Sequence, residues 1–304
     1  PLFHYNRNED CEMKKLGINV LQKMINQKLT SAEIDFLLYV SVLQNVHGTA
    51  EGIYYRDMCE SLGFSWQTFY AAKAGLVKKG IIRTEKMDYS DHDITIMDND
   101  FSNPESFKNG YLNTGYSVFQ SQEFRNLTGG EKLLFLDLAK NCLASGQSWW
   151  VGTGKFFAVY TEKLGICRRT AQEYLKRLRM FFSIGVKDKK YYFTLKKAAR
   201  EKNRGSEEDG FRKNTVAVAI RRNKIDNVKI EEIKKLEELL TRYSREIRDS
   251  EENVSLSCVI KESLRILNPA ERHKKRKILK PNLVHRILRK MLGLEVRTLP
   301  YNMA

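Results

Sequence analysis

Apolar residues recur at helical spacing directly after two Thr-x-x-Glu segments, one at Thr30 to Glu33 and one at Thr128 to Glu131. In such a capping box the hydroxyl and the carboxylate accept hydrogen bonds from backbone amides that would be left free where a helix begins. The apolar positions that follow are spaced by three and four residues, as in an amphipathic helix. They are Ile34, Leu37, Leu38 and Val42 in one case and Leu133, Leu134 and Leu138 in the other. The pattern therefore predicts two helices with the same start signal.

These two helices belong to a longer internal repeat. The residues Gly17, Val20, Leu29, Thr30 and Glu33 precede Gly115, Val118, Leu127, Thr128 and Glu131 by 98 positions. Further along, Leu62, Gly63, Thr68, Leu76 and Ile82 precede Leu164, Gly165, Thr170, Leu178 and Ile184 by 102 positions. A four-residue insertion in the second copy explains the change of offset.

Each copy also carries the pattern of a helix-turn-helix followed by a β-hairpin. A short helix ends in Leu-Gly, a tight turn follows, and a second helix begins. Paired strands are predicted at residues 81–87 with 93–97 and at residues 183–187 with 191–195. The predicted fold class is mainly α with small β wings: two tandem winged-helix domains followed by a basic helical C-terminal region.

This arrangement resembles the winged-helix proteins found among bacterial regulators and plasmid or phage replication initiators. Residues 115–119, 124–128 and 131–135 look particularly like the opening of initiator winged helices. The resemblance spans residues 17–184 and rests on architecture and punctuating residues, without one diagnostic motif. It implies a DNA-binding function.

The predicted domain map has four parts. Residues 1–101 form the first winged-helix domain, residues 102–199 the second, residues 200–215 a polar linker around Gly205 to Gly210, and residues 216–304 a basic helical region. In that last region Ile233, Leu236, Leu240, Tyr243 and Ile247 predict a helix over residues 228–249, either packed on a neighbour or in a coiled coil. Residues 283–294 form a second amphipathic segment with a basic face.

Charge separates the two copies. The whole chain carries a net charge of +16, which favours a polyanionic partner, either nucleic acid or an anionic membrane surface. Counting Lys and Arg against Asp and Glu gives −3 for residues 1–101, +9 for residues 102–197 and +10 for residues 198–304. Because phosphate neutralisation supplies most non-specific affinity, we expect the second domain to make the main DNA contact.

The candidate DNA-binding residues follow from this assignment. A recognition helix presents its N-terminal turns to base edges, and a wing reaches phosphate. The candidates are Arg168, Arg169, Thr170, Gln172, Glu173, Lys176, Arg177 and Arg179 on the helix and Lys187, Lys189 and Lys190 on the wing. Secondary candidates are Ser65, Gln67, Thr68 and Lys73 in the first domain and Lys274, Lys275, Arg276 and Lys277 in the C-terminal region.

The first domain is expected to bind protein. Its helix from Ser65 to Gly75 contains one lysine and three aromatic residues, and its hairpin tip from Asp88 to Asp93 is acidic. An acidic tip would be repelled by phosphate, so we expect a homodimer or another protein partner here or at the C-terminal helices.

The sequence offers no support for an enzyme. Gly152-Thr-Gly-Lys155 lacks the first glycine and the final Ser or Thr of a phosphate-binding loop, and the five histidines show no metal-ligand spacing. The five cysteines are widely spaced and fit neither a disulfide framework nor a zinc site. We therefore expect no catalytic residues, no cofactor and no metal. A cytoplasmic protein associated with nucleoid or plasmid is expected, because no apolar run is long enough to span a bilayer. Contact of the basic C-terminal segment with a membrane surface is the less favoured alternative.

The favoured function is sequence-specific binding of double-stranded DNA, as a replication initiator of a plasmid or mobile element. The first alternative is a winged-helix transcription regulator. The second is an adaptor that acts at DNA or a membrane through its C-terminal helices.

Overall fold

The computed structural model describes residues 14–87, 91–201, 207–250, 254–267 and 277–294. The described chain is mostly helical with small antiparallel sheets, as the sequence predicted. It divides into an N-terminal body, residues 1–207, and a C-terminal body, residues 208–304.

The first repeat, residues 1–101, begins the N-terminal body. In chain order its elements are β1 (Lys15–Gly17), α1 (Ile18–Asn26), α2 (Ser31–Leu43), β2 (Thr49–Tyr54), α3 (Tyr55–Leu62), α4 (Trp66–Lys78), β3 (Ile82–Lys86) and β4 (Asp91–Ile96). The predicted capping box opens α2: the Thr30 hydroxyl accepts the Glu33 N–H, and the Glu33 carboxylate accepts the Thr30 N–H. β4 pairs antiparallel with β2 on one side and β3 on the other.

The second repeat, residues 102–199, follows nearly the same order. Its elements are β5 (Tyr111–Asn113), α5 (Gln122–Arg125), α6 (Gly129–Ala144), β6 (Ser148–Gly152), α7 (Thr153–Leu164), α8 (Arg168–Leu178), β7 (Phe182–Lys187) and β8 (Lys190–Leu195). The capping box of Thr128 and Glu131 opens α6. β8 lies between β6 and β7 in an antiparallel sheet.

Each sheet has one strand more than the predicted hairpin. β2 and β6 precede α3 and α7 and complete the two sheets. The sequence does not reveal these two strands, because each contains a glycine, Gly52 or Gly152, and because β2 shifts register between Ala50 and Ile53.

The two repeats share one hydrophobic core. α2 packs against α6, and β1 pairs antiparallel with β5 across the repeats. Between α2 and α6 lies Lys132, whose fully buried side chain donates to both carboxylate oxygens of Asp35 at 2.6 Å and to the Ser31 hydroxyl at 2.8 Å. The repeats therefore form one compact body.

The C-terminal body is built from helices alone in its described residues. They are α9 (Glu207–Arg222), α10 (Ile230–Arg242), α11 (Ser244–Asp249), α12 (Leu256–Leu267) and α13 (Pro281–Met291). A second core joins these helices, with Val216, Leu236, Val259 and Val284 among its most buried residues.

Two predictions for this region need correction. Residues 207–215 of the predicted linker belong to α9, although this segment is polar and lacks apolar periodicity. The core anchors the helix through Val216 and Ala219. The helix predicted over residues 228–249 is two helices, α10 and α11, because the backbone leaves the helical region at Tyr243. The apolar face of α10 packs in the C-terminal body's own core, which favours a packed amphipathic helix over a coiled coil.

Candidate nucleic-acid interface

The turn before α8 fixes where this helix begins. α7 ends at Leu164, and Gly165 takes a left-handed conformation with φ 65°, which glycine adopts without a Cβ clash. Cys167 is the extended N-cap residue of α8. The helix buries Ala171, Leu175 and Leu178, so its long polar side chains lie on the solvent side.

The first turn of α8 is exposed and positively charged. The Arg168 guanidinium lies 4.5 Å from the centre of the Phe157 ring on α7, within the range of a cation–π interaction. Arg169 makes no ion pair or ring contact with any described residue. The two neighbouring arginines therefore differ in how firmly the protein holds them.

The following turns combine polar and charged groups. Gln172 is exposed, and Lys176 donates to the exposed carboxylate of Glu173 at 2.7 Å. The Thr170 hydroxyl lies 3.2 Å from the Cys167 sulfur. Hydrogen bonds from the Thr170 side chain and backbone hold the pKa of the Cys167 thiol below its ordinary value. The start of the helix thus offers donors and acceptors as well as positive charge.

The Arg177 side chain binds residues of the protein itself. Its guanidinium lies 3.2 Å from the buried carboxylate of Glu131 and donates to the Asn126 carbonyl at 3.3 Å. In the first repeat Lys79 makes the matching contact, at 2.6 Å, with the capping-box carboxylate of Glu33. The predicted DNA-contact role of Arg177 thus competes with an ion pair at the start of α6, although the side chain is exposed. Arg179 is also exposed and makes no ion pair with the described residues.

The β7–β8 hairpin carries the three predicted lysines. Asp188 and Lys189 form its two-residue turn with φ of 50° and 57°, the conformation of a type I′ turn. The Lys189 carbonyl accepts the Thr153 N–H at 2.8 Å, which ties the turn to the start of α7. Lys187 and Lys190 lie directly opposite each other on the two strands.

α4 is the counterpart of α8 but presents different chemistry. With the 102-residue offset, the exposed residues Arg168, Arg169, Gln172, Glu173, Lys176 and Arg179 align with Trp66, Gln67, Tyr70, Ala71, Ala74 and Val77, which are also exposed. Trp66 is 60% exposed. The same helix face is therefore cationic and polar in the second repeat and largely apolar in the first.

Three of the secondary candidates in the first repeat are engaged within it. Ser65 caps α4 by accepting the Thr68 N–H at 3.1 Å, and the two hydroxyls are 2.9 Å apart. The Lys73 ammonium lies 3.1 Å from His92 Nε2, and its burial lowers the pKa of Lys73. Gln67 is exposed.

The acidic hairpin tip expected in the first repeat needs correction. Asp91 is buried, and Asp93 accepts the Gly52 N–H at 2.8 Å, so both belong to the sheet. Asp88 lies outside the described residues. Repulsion between the hairpin tip and phosphate therefore gives only weak support for protein binding by the first repeat. The apolar face of α4 supports it more strongly.

The basic cluster in the C-terminal region is described only in part. Lys274, Lys275 and Arg276 lie outside the described residues. Lys277 donates from Nζ to the Asn223 carbonyl at 2.7 Å, so it stabilises the end of α9 within the C-terminal body.

Sequence reasoning missed three aromatic residues near the candidate interface. Phe157 supports Arg168, and Trp150 and Tyr192 lie opposite each other on β6 and β8 with their side chains exposed. The alternation of inward and outward residues along β8 would have placed Tyr192 on the solvent face, but Trp150 required recognition of β6.

The chain matches no protein-family model, no curated protein and no solved structure at a significant level. Within the described ranges, His, Cys, Asp and Glu side chains nowhere cluster as a metal site would require. In that same part of the chain, each helix is too short or too polar to cross a bilayer.

Proposed function

We propose that this protein binds double-stranded DNA sequence-specifically, with each repeat a winged helix and the second repeat as the DNA reader. In this proposal α8 is the recognition helix in the major groove, and the β7–β8 hairpin is the wing. The N-terminal turns of α8 face base edges, while Lys187 and Lys189 meet the phosphate backbone.

The contrast between α4 and α8 carries the proposal. Both helices follow the same glycine turn and bury the same side of the helix, so the fold does not explain why their exposed faces differ. Exposed side chains are free to vary without a cost in packing. Three arginines and a lysine on the exposed face of α8 and its C-cap replace Trp66, Gln67, Ala74 and Val77 on α4, which supports a polyanionic partner at α8 rather than at α4.

The second repeat also supplies the chemistry of specific readout. Arginine recognises guanine through two hydrogen bonds, and glutamine recognises adenine in the same way. Arg169 and Gln172 are exposed on the first turns of α8, where base edges are within reach.

The exposed face of α4 suits a protein partner, including a second copy of the chain. Trp66, Tyr70 and Val77 are exposed and lie along one side of the helix. Large exposed apolar residues in one patch are typical of interaction surfaces. Two unequal winged helices, one for DNA and one for protein, also resemble replication initiators, so initiation at a plasmid or mobile element is the role that we propose.

Selection from a random duplex pool tests this function with the full chain. We expect one motif to be enriched, and binding of that motif to exceed random duplex by at least roughly 1000-fold, the lower range for specific readers. Direct repeats of the motif beside the gene would support initiation, and a single copy at a divergent promoter would favour a regulator. Failure to enrich any motif would overturn sequence-specific binding.

A further inference from the structure

The sheet of the second repeat has an outward face that its core does not use. Successive side chains of a strand point to opposite faces of the sheet. Trp149, Ile184 and Phe193 point inward, where Trp149 and Phe193 stack with their ring centres 5.7 Å apart. The opposite face consists of three cross-strand rows, which are Ser148, Thr194 and Ser183, then Trp150, Tyr192 and Gly185, then Gly152, Lys190 and Lys187.

The middle row is an open aromatic platform. Trp150 and Tyr192 are directly opposite each other, and they are 56% and 39% exposed. Gly185 continues the row without a side chain, and a Cβ atom built on it would meet no atom within 4 Å. The two ring systems and the flat glycine beside them are therefore accessible to a planar ligand.

The rows on either side are polar and the face has no negative charge. Lys187 and Lys190 form the row toward the hairpin turn, and the Lys190 ammonium lies 4.1 Å from the centre of the Trp150 ring. On the other side the hydroxyls of Ser148 and Thr194 are 2.9 Å apart. None of the nine outward positions, all of which the structure describes, holds a carboxylate.

The first repeat lacks this platform. Strand pairing matches Ile82 with Phe182, and not with Ile184 as the sequence repeat had it. The row of Thr49, Thr95 and Arg83 therefore corresponds to that of Ser148, Thr194 and Ser183, and the next outward pair toward the turn is Asp93 with Glu85. Two carboxylates thus occupy the positions that Tyr192 and Gly185 hold in the second repeat. The fold itself does not require aromatic residues there.

We propose that this face, defined by Trp150, Tyr192, Gly185, Lys187 and Lys190, binds single-stranded DNA. Bases would stack on Trp150 and Tyr192, while the two lysines meet the phosphates on the side of the turn. Lys190 would exchange its contact with the indole ring for one with phosphate.

The chemistry of the face favours a single strand over a duplex. In a duplex each base is stacked between its neighbours and shows only its edges, whereas an unpaired base can lay its ring on an aromatic side chain. Aromatic residues beside positive charge are the usual features of sites for single strands. Lys187 also belongs to the wing proposed to meet duplex phosphate, but Trp150 and Tyr192 lie outside the proposed duplex contacts. Substitutions of the two rings therefore test single-strand binding independently of duplex binding.

The test uses the full chain and a fluorescently labelled oligothymidylate of about 20 nucleotides, with an arbitrary duplex measured in parallel. The double variant Trp150→Thr, Tyr192→Thr keeps residues that favour a β-strand but removes both aromatic rings. We expect affinity for the oligothymidylate to fall roughly 5- to 150-fold for each ring lost, which corresponds to about 1–3 kcal/mol per stacked base. Duplex affinity should stay unchanged.

Two control variants separate stacking from folding and from general loss of aromatic surface. Trp150→Phe with Tyr192→Phe retains two rings and should keep most of the affinity. Trp66→Thr removes an equally exposed tryptophan from α4 and should have no effect on single-strand binding.

An oligouridylate of the same length shows whether the face prefers DNA over RNA; tighter binding of the oligouridylate would contradict the choice of DNA.

A fluorescence measurement that leaves Trp150 and Tyr192 in place tests the proposal even if the threonine variant does not fold. In a Trp66→Phe background, the remaining indoles are inward-facing Trp149 and outward-facing Trp150, so oligothymidylate should quench the fluorescence of Trp150. Further change of Trp150→Phe should abolish the quenching. Absence of quenching would overturn the proposal. So would equal loss of duplex and single-strand binding in a threonine variant whose thermal unfolding and oligomeric state match those of the original protein.

Discussion

Arg168 and Arg169 are neighbours in sequence, but among the described residues only Arg168 has a partner that holds its guanidinium. Arg168 rests against the Phe157 ring, which restricts where its guanidinium can point. Arg169 has no such support among the described residues, so it is free to extend toward a base edge. The same distinction cannot be read from the sequence, because it depends on the position of α7.

The two arginines should therefore give different binding defects. We expect Arg169→Ala to relax preference at one base position and to cost about 1–3 kcal/mol on the specific site. Arg168→Ala should instead weaken specific and random duplexes alike, and it should reduce the salt slope by about 0.9 as one phosphate contact is lost. Titration of both duplexes at several salt concentrations distinguishes these cases, and identical behaviour of the two variants would refute the assignment.

At the level of elements, a buried ion pair joins α2 to α6 in addition to the shared hydrophobic core. The Lys132 side chain is fully buried, and the Asp35 carboxylate is 12% exposed. Burial raises the pKa of Asp35 and lowers the pKa of Lys132, while their mutual attraction opposes both shifts. Each charge is tolerated in the core because the other is present.

Loss of Lys132 should destabilise the N-terminal body strongly. Lys132→Met leaves the Asp35 carboxylate buried without its cation, and we expect a loss of about 3–5 kcal/mol in the free energy of unfolding. Lys23→Met removes one partner of the exposed pair with Asp98 and should cost at most about 1 kcal/mol. Denaturant unfolding curves measure the loss in free energy of unfolding for both variants. Equal losses would show that the buried ion pair does not hold the repeats together.

Asp137 on α6 should make stability depend on pH. Burial alone would raise its pKa, but hydrogen bonds from Lys140 and Tyr160 and the charge of Lys163 outweigh this and hold the pKa below its ordinary value. A carboxyl group with a lowered folded pKa stabilises the protein above its unfolded pKa, about 3.9, and loses this effect as pH falls through the folded value.

We therefore expect Asp137→Asn to lower the free energy of unfolding at pH 7, and the gap from the original protein to narrow below about pH 4. Unfolding curves measured from pH 7 to pH 3 check this. Lys108→Gln, which removes a charge from an exposed ion pair with Glu105, is a control with little expected effect. A gap that stayed constant down to pH 3 would contradict the lowered pKa.

Some elements could be predicted from the residues next to them in the sequence, and others could not. The capping boxes at Thr30 and Thr128 and the glycine turns at Gly63 and Gly165 appear as predicted, because these signals depend on backbone geometry within a few residues. β6 and the start of α9 depend on tertiary partners, namely β8 and the second core, and the sequence does not show these. The platform of Trp150 and Tyr192 was missed for the same reason.

At the scale of the whole molecule, the two repeats differ in net charge but are not separate in their packing. The net charge changes from −3 to +9 between the repeats, yet both repeats belong to one body with a shared core. A fragment of residues 15–101 would lose the partner of β1 and the cation beside Asp35. The roles of the repeats are therefore best separated by surface substitutions in the full chain.

The most direct test of α8 as the DNA-binding surface compares two charge-matched triple variants. One is Arg168→Ala, Arg169→Ala and Lys176→Ala on α8, and the other is Arg56→Ala, Lys78→Ala and Arg83→Ala in the first repeat, all at exposed positions. Each removes three positive charges, and affinity for duplex DNA is measured across a range of salt concentrations. We predict that the α8 variant loses specific binding, because Arg169 contacts a base, and about 2 units of salt slope, because the other two side chains contact phosphate at about 0.9 each. The first-repeat variant should bind as before. Equal losses in both variants, or unchanged binding by the α8 variant, would contradict the account.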